Sequence, residues 1–487
     1  MTRNKKGERP PIEPLRPAFR YQLHSQGELD QLQEATLEVL ETVGIKFPSE
    51  KALAILAEHG ADVNHETEIV KFPRDLVFKA MATVPRYFVA GARLPEYDLQ
   101  LQQGATYLTT DGCGVETIDF ETREVRPSCK ADVGRMALVA DYLSSMAFYW
   151  PMVSAQDYGK TSPLHEMDAA WNNTVKHVQS ETLMGEASAR YGVEMATVIA
   201  GSEQELRRRP PLSVIICTIA PLVQDKEGIE SAMVLAEAGI PVGFLAMPTL
   251  GTTAPAALAG AFVMSDAEVI SATVLMQLVA PGAPVCHSVM QAWADPRSGA
   301  YVAYPQDARC RYTPVEMAHH WNMPSFSGAF GTASLSPGTW QAAADVALDP
   351  FLMAMSGAEW ATGIGLNRSF TLLYPEAIIL DDDLYHRARY AMTKMDISPD
   401  TLAVDVMRAV GPGGHFLAQK HTRKHMRTAM VPAITQQPDQ AGKYRDPLEV
   451  AREKVDWILK NHQPEPLEDA QKAELARILQ AAEKELG

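Results

Sequence analysis

Through the middle of the chain, short apolar runs end in glycine, proline, serine, threonine or histidine, and each is followed by a stretch long enough for a helix. Residues 240–251, 283–290 and 323–331 show this most clearly. Fully apolar runs of that length fit buried parallel strands, and the spacers fit crossover helices. The same rhythm predicts strands at 146–153, 175–178, 212–219, 241–247, 283–289, 325–330 and 362–365, with a first strand near Tyr107. Helices are predicted between them, including 227–238 and 256–278. Eight alternating units predict an α/β fold of the (β/α)8 TIM-barrel type. Small and polar residues at strand ends then point to a ligand at the carboxyl face of the sheet.

The flanks read differently. Residues 1–25 are rich in proline and charge and read as a loose arm. Helical spacing of leucines predicts helices at 28–43, 50–59 and 73–84. Residues 97–102 alternate as a strand, and 115–120 with 124–127 predict a hairpin around Glu121-Thr122-Arg123. The tail predicts helices at 384–394 and 399–410, a turn at 411–414, and two helices from 447 onward. The expected organisation is an N-terminal helical and β-hairpin extension (1–106), the barrel (107–383) and a C-terminal helical extension (384–487).

Composition narrows the partners. A net charge of −16 disfavours nucleic acid, whose phosphates need lysine and arginine. The five cysteines are odd in number and form no C-x-x-C pair, which points to a reducing, cytoplasmic setting. No apolar region follows the basic first residues, so no signal peptide is expected. Residues 240–265 carry no charge, but Pro241, Pro248 and Pro255 interrupt them, which fits barrel strands and loops better than a membrane span.

The familiar catalytic motifs are missing. Gly159-Lys160-Thr161 has Ser154 where a Walker A loop needs glycine, and Gly411-x-Gly413 meets Phe416 where a dinucleotide loop needs its last glycine. Neither H-E-x-x-H nor G-x-S-x-G occurs. His177, Cys217, Cys286 and His287 fall near strand ends, but no pair has zinc-type spacing, so the thiols read as small buried hydrophobes. His421 and His425 share a helical face and read as histidines bonded to their own turn. The chain is therefore read as holding no metal.

Aromatic residues are more informative. Tyr149, Trp150, Trp171, Trp321, Phe326, Phe330 and Trp360 lie at or near predicted strand ends, where ring faces suit a quaternary ammonium. Core packing is the competing reading for each. Asp111, in the polar turn Thr110-Asp111-Gly112-Cys113, is a candidate counter-charge, as are Glu359, Glu376 and Asp381. Trp171, Trp321 and Phe330 are taken as substrate-binding candidates, with Asp111 and Glu376.

Two segments carry a family resemblance. Residues 247–260 (Met-Pro-Thr-Leu-Gly-Thr-Thr-Ala-Pro-Ala-Ala-Leu-Ala-Gly) and 411–422 (Gly-Pro-Gly-Gly-His-Phe-Leu-Ala-Gln-Lys-His-Thr) resemble the trimethylamine methyltransferase superfamily. The likeness runs from the N-terminal helices to the region of Pro464-Glu465-Pro466-Leu467. It implies a barrel that moves a methyl group from an amine to the cobalt of a separate corrinoid protein. Founding members carry pyrrolysine, whereas residues 331–341 here are all standard. That departure implies a glycine-betaine type of member, because a quaternary amine is already cationic and needs no activation.

The chain lacks the D-x-H-x-x-G pattern that ligates cobalt, so cobalamin is expected on a partner docking at the barrel's C-terminal face, with no cofactor bound by this chain. A betaine carboxylate would need an arginine, a histidine or a backbone nest, and Arg311, His287 and His415 are the candidates. Pocket size decides among glycine betaine, proline betaine and carnitine. Self-association is inherited from the family alone. The rival readings are a methyltransferase for trimethylamine or another methylated compound, and a barrel that binds a betaine without catalysis.

Overall fold

The computed structural model describes residues 9–487 apart from 103, 300, 303–307, 329–330, 333–338, 369–370 and 428–430. Eight parallel strands form one sheet: β1 (Tyr107–Thr110), β2 (Met146–Tyr149), β3 (His177–Ser180), β4 (Leu212–Cys217), β5 (Val242–Ala246), β6 (Val285–Val289), β7 (Phe326–Gly328) and β8 (Trp360–Ile364). Each strand pairs with its neighbours in sequence, and β8 pairs with β1. A parallel bridge between His287 and Ser325 joins β6 to β7, so the sheet closes into the expected (β/α)8 barrel.

Each expected strand is present. The run predicted at 175–178 lies two residues later, as β3, for a physical reason. Lys176 is buried and turns back, donating to the carbonyls of Ala140, Leu143 and Met146 at 2.6–3.0 Å. The segment before β3 thus caps the C-terminal end of helix Lys130–Tyr142, which leads into β2, instead of joining the ladder.

The barrel interior is packed from below. Tyr107, Phe148, Phe326 and Trp360 form one apolar cluster with Ala90, Leu99 and Leu101. Val89–Ala90 and Leu99–Gln100 pair antiparallel, so only a fragment of the strand predicted at 97–102 is regular. The predicted hairpin is present, with Glu116–Ile118 paired to Val125–Pro127. It follows the carboxyl end of β1 and also pairs with Leu372–Leu373, beyond β8.

The N-terminal helices Gln26–Glu38, Glu50–Glu58 and Arg74–Met81 all pack on the barrel helix Leu258–Val279. That helix is long and apolar enough to cross a membrane, but strands β5 and β6 cover its other side. An apolar surface all round the helix is what burial between two layers requires. Helix Pro375–Ala391 runs unbroken across position 383. Helices Pro447–Asn461 and Asp469–Leu486 clasp the outer ring of barrel helices. All five cysteines are free thiols.

Candidate functional site

At the carboxyl ends of β1 and β3 the chain brings together three carboxyl groups. Asp111 follows β1 directly and is buried. Its oxygens accept from the Gly112 N–H at 3.0 Å and the Thr362 hydroxyl at 3.1 Å. Glu181 follows β3 and keeps some surface open at the rim, while its carboxyl sits in protein surroundings. Glu166 reaches in from helix Ser162–Asn173. It accepts from Ser162 at 3.0 Å, Thr182 at 2.6 Å and the Ala155 N–H at 3.2 Å.

Charge in this corner lacks a counter-ion. Loss of water pushes the Asp111 carboxyl up to about 7, against its two hydrogen bonds. Burial pushes Glu181 up to about 8, and the nearby Asp111 and Glu166 charges add to it. Burial also raises Glu166. Among the described residues, no lysine or arginine offsets either Asp111 or Glu181. Buried like charges without a partner are costly and cluster at functional sites. A cationic ligand would relieve that cost.

Beside Asp111 stands Trp150, the upper member of an aromatic stack that descends through the barrel to the amino ends of β7 and β8. The Trp150 and Phe326 ring centroids are 5.9 Å apart, Phe326 and Trp360 6.4 Å, and Phe148 and Trp360 4.8 Å. Trp150 packs closely against Gly112, where an added Cβ would lie 2.2 Å from its Nε1. Only glycine permits that contact. The Nε1 donors of Trp150 and Trp360, the Gln179 Nε2 and the Ser288 hydroxyl are buried without a hydrogen-bond partner. Since Phe148 lies beside His177 and Tyr149 beside Val178, the same register sets Trp150 beside Gln179. A ligand that brings both a cation and a hydrogen-bond acceptor would answer both deficits.

The residues singled out in the sequence divide sharply. Asp111 is at the mouth, as expected. His287 faces out of the barrel, with its Nε2 2.7 Å from Asp266 Oδ1. Trp321 donates to the other Asp266 oxygen at 3.1 Å, and Thr36 donates to it at 2.7 Å. Strand parity explains this: Cys286 lines the barrel interior, so His287 must face the helices. Trp171 packs in the helical layer. Glu376, fully buried, pairs with Arg123 of the hairpin, so it anchors that hairpin and does not face the mouth. Arg311 is engaged by Asp349 at 2.8 Å and by the Gly328 carbonyl, at the end of β7. His415 is exposed on the C-terminal arm. Phe330 lies outside the described residues.

Of the other aromatic and acidic candidates, Tyr149 faces outward and donates to the Val133 carbonyl, and Glu359 is bound to His319 at 3.0 Å. Glu181, Glu166 and Gln179 went unread. A strand ending at 178 leaves all but Glu166 in a loop, and Glu166 lies on a helix.

The Asp266 network gives a direct prediction. Asp266→Ala leaves three buried donors unanswered and is expected to destabilise the fold by about 3 kcal/mol. Denaturant titration measures this. Ligand affinity should be unchanged in the folded fraction, which separates support of the helical layer from a role in the site.

A closed (β/α)8 barrel with an uncompensated acidic, aromatic mouth defines an enzyme-type binding site at the carboxyl face. The chain belongs to the trimethylamine methyltransferase (MTTB) family, whose profile matches residues 2–487. Trimethylamine methyltransferase MttB of Desulfitobacterium hafniense is 33% identical over 470 residues, covering 95% of this chain and 94% of that protein. MttB of Methanosarcina barkeri is 29% identical over 472 residues, with 95% of each covered. A glycine betaine methyltransferase of Desulfitobacterium hafniense is 27% identical over 476 residues, covering 96% of this chain and 98% of that protein. The solved structure of the Methanosarcina barkeri monomethylamine methyltransferase aligns with a TM-score of 0.45 at 11% identity, over 94% of this chain and 91% of that one.

Proposed function

We propose that this methyltransferase takes its methyl group from a quaternary amine, glycine betaine or a related betaine, and delivers it to reduced corrinoid cobalt carried on a separate protein. The observation that carries the reading is the Asp111–Glu181 pair at the mouth, which no lysine or arginine among the described residues neutralises. A trimethylammonium group needs negative charge and a ring face but no hydrogen-bond acceptor, and Trp150, packed against Gly112 next to Asp111, supplies the face. The orphaned donors of Trp150 and Gln179 suit a carboxylate, which trimethylamine lacks.

The chemistry asks little of the side chains. As the methyl carbon leaves nitrogen, the C–N electron pair stays on nitrogen and the product departs as a neutral tertiary amine. No proton has to move. The corrinoid supplies the nucleophile. This chain holds the ammonium, aims a methyl outward through the mouth and keeps water away. A reducing, cytoplasmic setting suits both the free thiols and a reduced cobalt partner.

The test mixes purified protein with a reduced corrinoid protein and offers methylated amines one at a time. Absorbance should change from the cobalt(I) to the methyl-cobalt(III) spectrum with a betaine and not with trimethylamine. Turnover of trimethylamine alone would overturn the substrate. Betaine binding with no methyl transfer would leave a binding protein.

The acids make binding pH-dependent. Only ionised carboxylates attract the cation, and these ionise near 7 and 8 in the empty site. Affinity for glycine betaine should therefore rise between about pH 6 and pH 9, by up to roughly tenfold per pH unit for each proton released, and level off above. Calorimetry across that range checks the slope.

A further inference from the structure

The C-terminal arm contains a side-chain cluster that the barrel chemistry does not use. Asp400 lies on the short helix Pro399–Leu402, and His421 and His425 lie one turn apart on Lys420–Met426. A ligand atom from each of the three falls within 4.8 Å of the others. The imidazole centroids are 4.1 Å apart. His425 Nε2 is 3.1 Å from Asp400 Oδ2, and His421 Nε2 is 2.8 Å from the Asp400 carbonyl. The spacing of the two histidines was visible in the sequence. Asp400, some twenty positions earlier, is what the fold adds.

We propose that Asp400, His421 and His425 form a surface site for a divalent transition-metal ion of the zinc class, which staples the arm. Two imidazoles and one carboxylate are a donor set that zinc, nickel and copper favour over calcium or magnesium. Three protein ligands leave a fourth position for water. The pairing of Lys424 with Asp400 at 2.7 Å stands in for the metal's charge when no ion is bound. A dication displaces that ammonium and takes its carboxylate oxygen.

A second observation says what the ion would do. Helices Pro399–Leu402, Val404–Val410 and Lys420–Met426 contain no fully buried residue. Met407, Leu417 and Met426 are instead more than half exposed. Elements that short, with no core of their own, need a cross-link or a partner to persist. Metal ligation ties the first helix to the last across the intervening loop, at the two ends of the segment that lacks packing.

The test uses the full-length, untagged protein stripped with chelator. Titration with Co2+ should give ligand-field absorbance that saturates at one equivalent and is displaced by Zn2+. Zinc should slow tryptic cleavage at Lys420, Arg423, Lys424 and Arg427. His421→Ala with His425→Ala should weaken binding by about tenfold or more, and Asp400→Asn by roughly tenfold, with betaine binding at the barrel unchanged. Absence of saturable cobalt absorbance would overturn the site. So would equal binding by the double histidine variant, because the metal would then be held elsewhere. Neither result touches the reading of the barrel mouth, which is measured by amine binding without metal.

Discussion

Asp111→Asn is expected to weaken binding of a quaternary amine by about 2–3 kcal/mol, roughly thirty- to 150-fold in Kd. Asparagine keeps the size: its Oδ1 can still accept from the Gly112 N–H, and its Nδ2 can donate to the Thr362 hydroxyl, which then donates to the Thr110 carbonyl it already reaches at 2.8 Å. What disappears is the negative charge beside Trp150. Glu181→Gln should cost a similar amount, and the double variant less than the sum, because each carboxyl raises the other's cost of ionisation. The variants should be at least as stable as the parent without ligand, since each removes an uncompensated buried acid. Calorimetric Kd and denaturant midpoint, measured on the same samples, separate the two effects. A variant that binds betaine as tightly as the parent would remove the acids from the site.

That opposition of stability and binding also explains how much was legible in advance. The barrel was readable because buried parallel strands are apolar on both faces, and eight such runs with helical spacers have few other folds. The same property hides parity. In a run such as Val285–Val289, Cys286 and His287 are equally buried, and nothing in the spacing says which faces the lumen. His287 was therefore credited to a site from which its Asp266 bond excludes it.

Glu376 illustrates a different limit. Its partner Arg123 comes from a hairpin more than 250 positions away, and a long-range ion pair leaves no local pattern. Asp111 was readable because a carboxylate in a tight turn after an apolar strand has few structural reasons to be there. Glu181 sits in the same kind of position, after Ser180. It was lost only because Lys176 pulls the start of β3 two residues along. The aromatic part of the site was half visible. Trp150 carries the right chemistry, but only packing separates it from Trp171 in the helical layer, from Trp321 on Asp266, and from Phe326 and Trp360 lower in the barrel.

The second large effect lies at the opposite side of the molecule. Asp141, fully buried on helix Lys130–Tyr142, gathers four donors: Thr174 Oγ1 at 2.7 Å, the Val175 N–H at 2.9 Å, Arg9 Nε at 2.8 Å and His462 Nε2 at 2.7 Å. Through it the N-terminal arm, the barrel and the segment between the last two helices share one carboxylate. Burial alone would raise its pKa, but the His462 bond and the Lys176 and Arg9 charges win and hold it at about 2.

Asp141→Ala is expected to destabilise the fold by about 3–5 kcal/mol, because it leaves three buried donors without their acceptor and the buried Arg9 with only its exposed partner Glu465. Asp141→Asn should cost less, since one acceptor remains. The pH dependence has a definite sign. The folded carboxyl ionises at lower pH than the unfolded one, so its contribution is complete above about pH 4 and is lost as pH falls toward 2. Between those values the parent should lose about 2–3 kcal/mol that the alanine variant has already lost, and the two stability curves should converge in acid. Urea titrations at a series of pH values measure the convergence. Curves that stay parallel would mean that the four donors hold Asp141 in place without drawing stability from its charge.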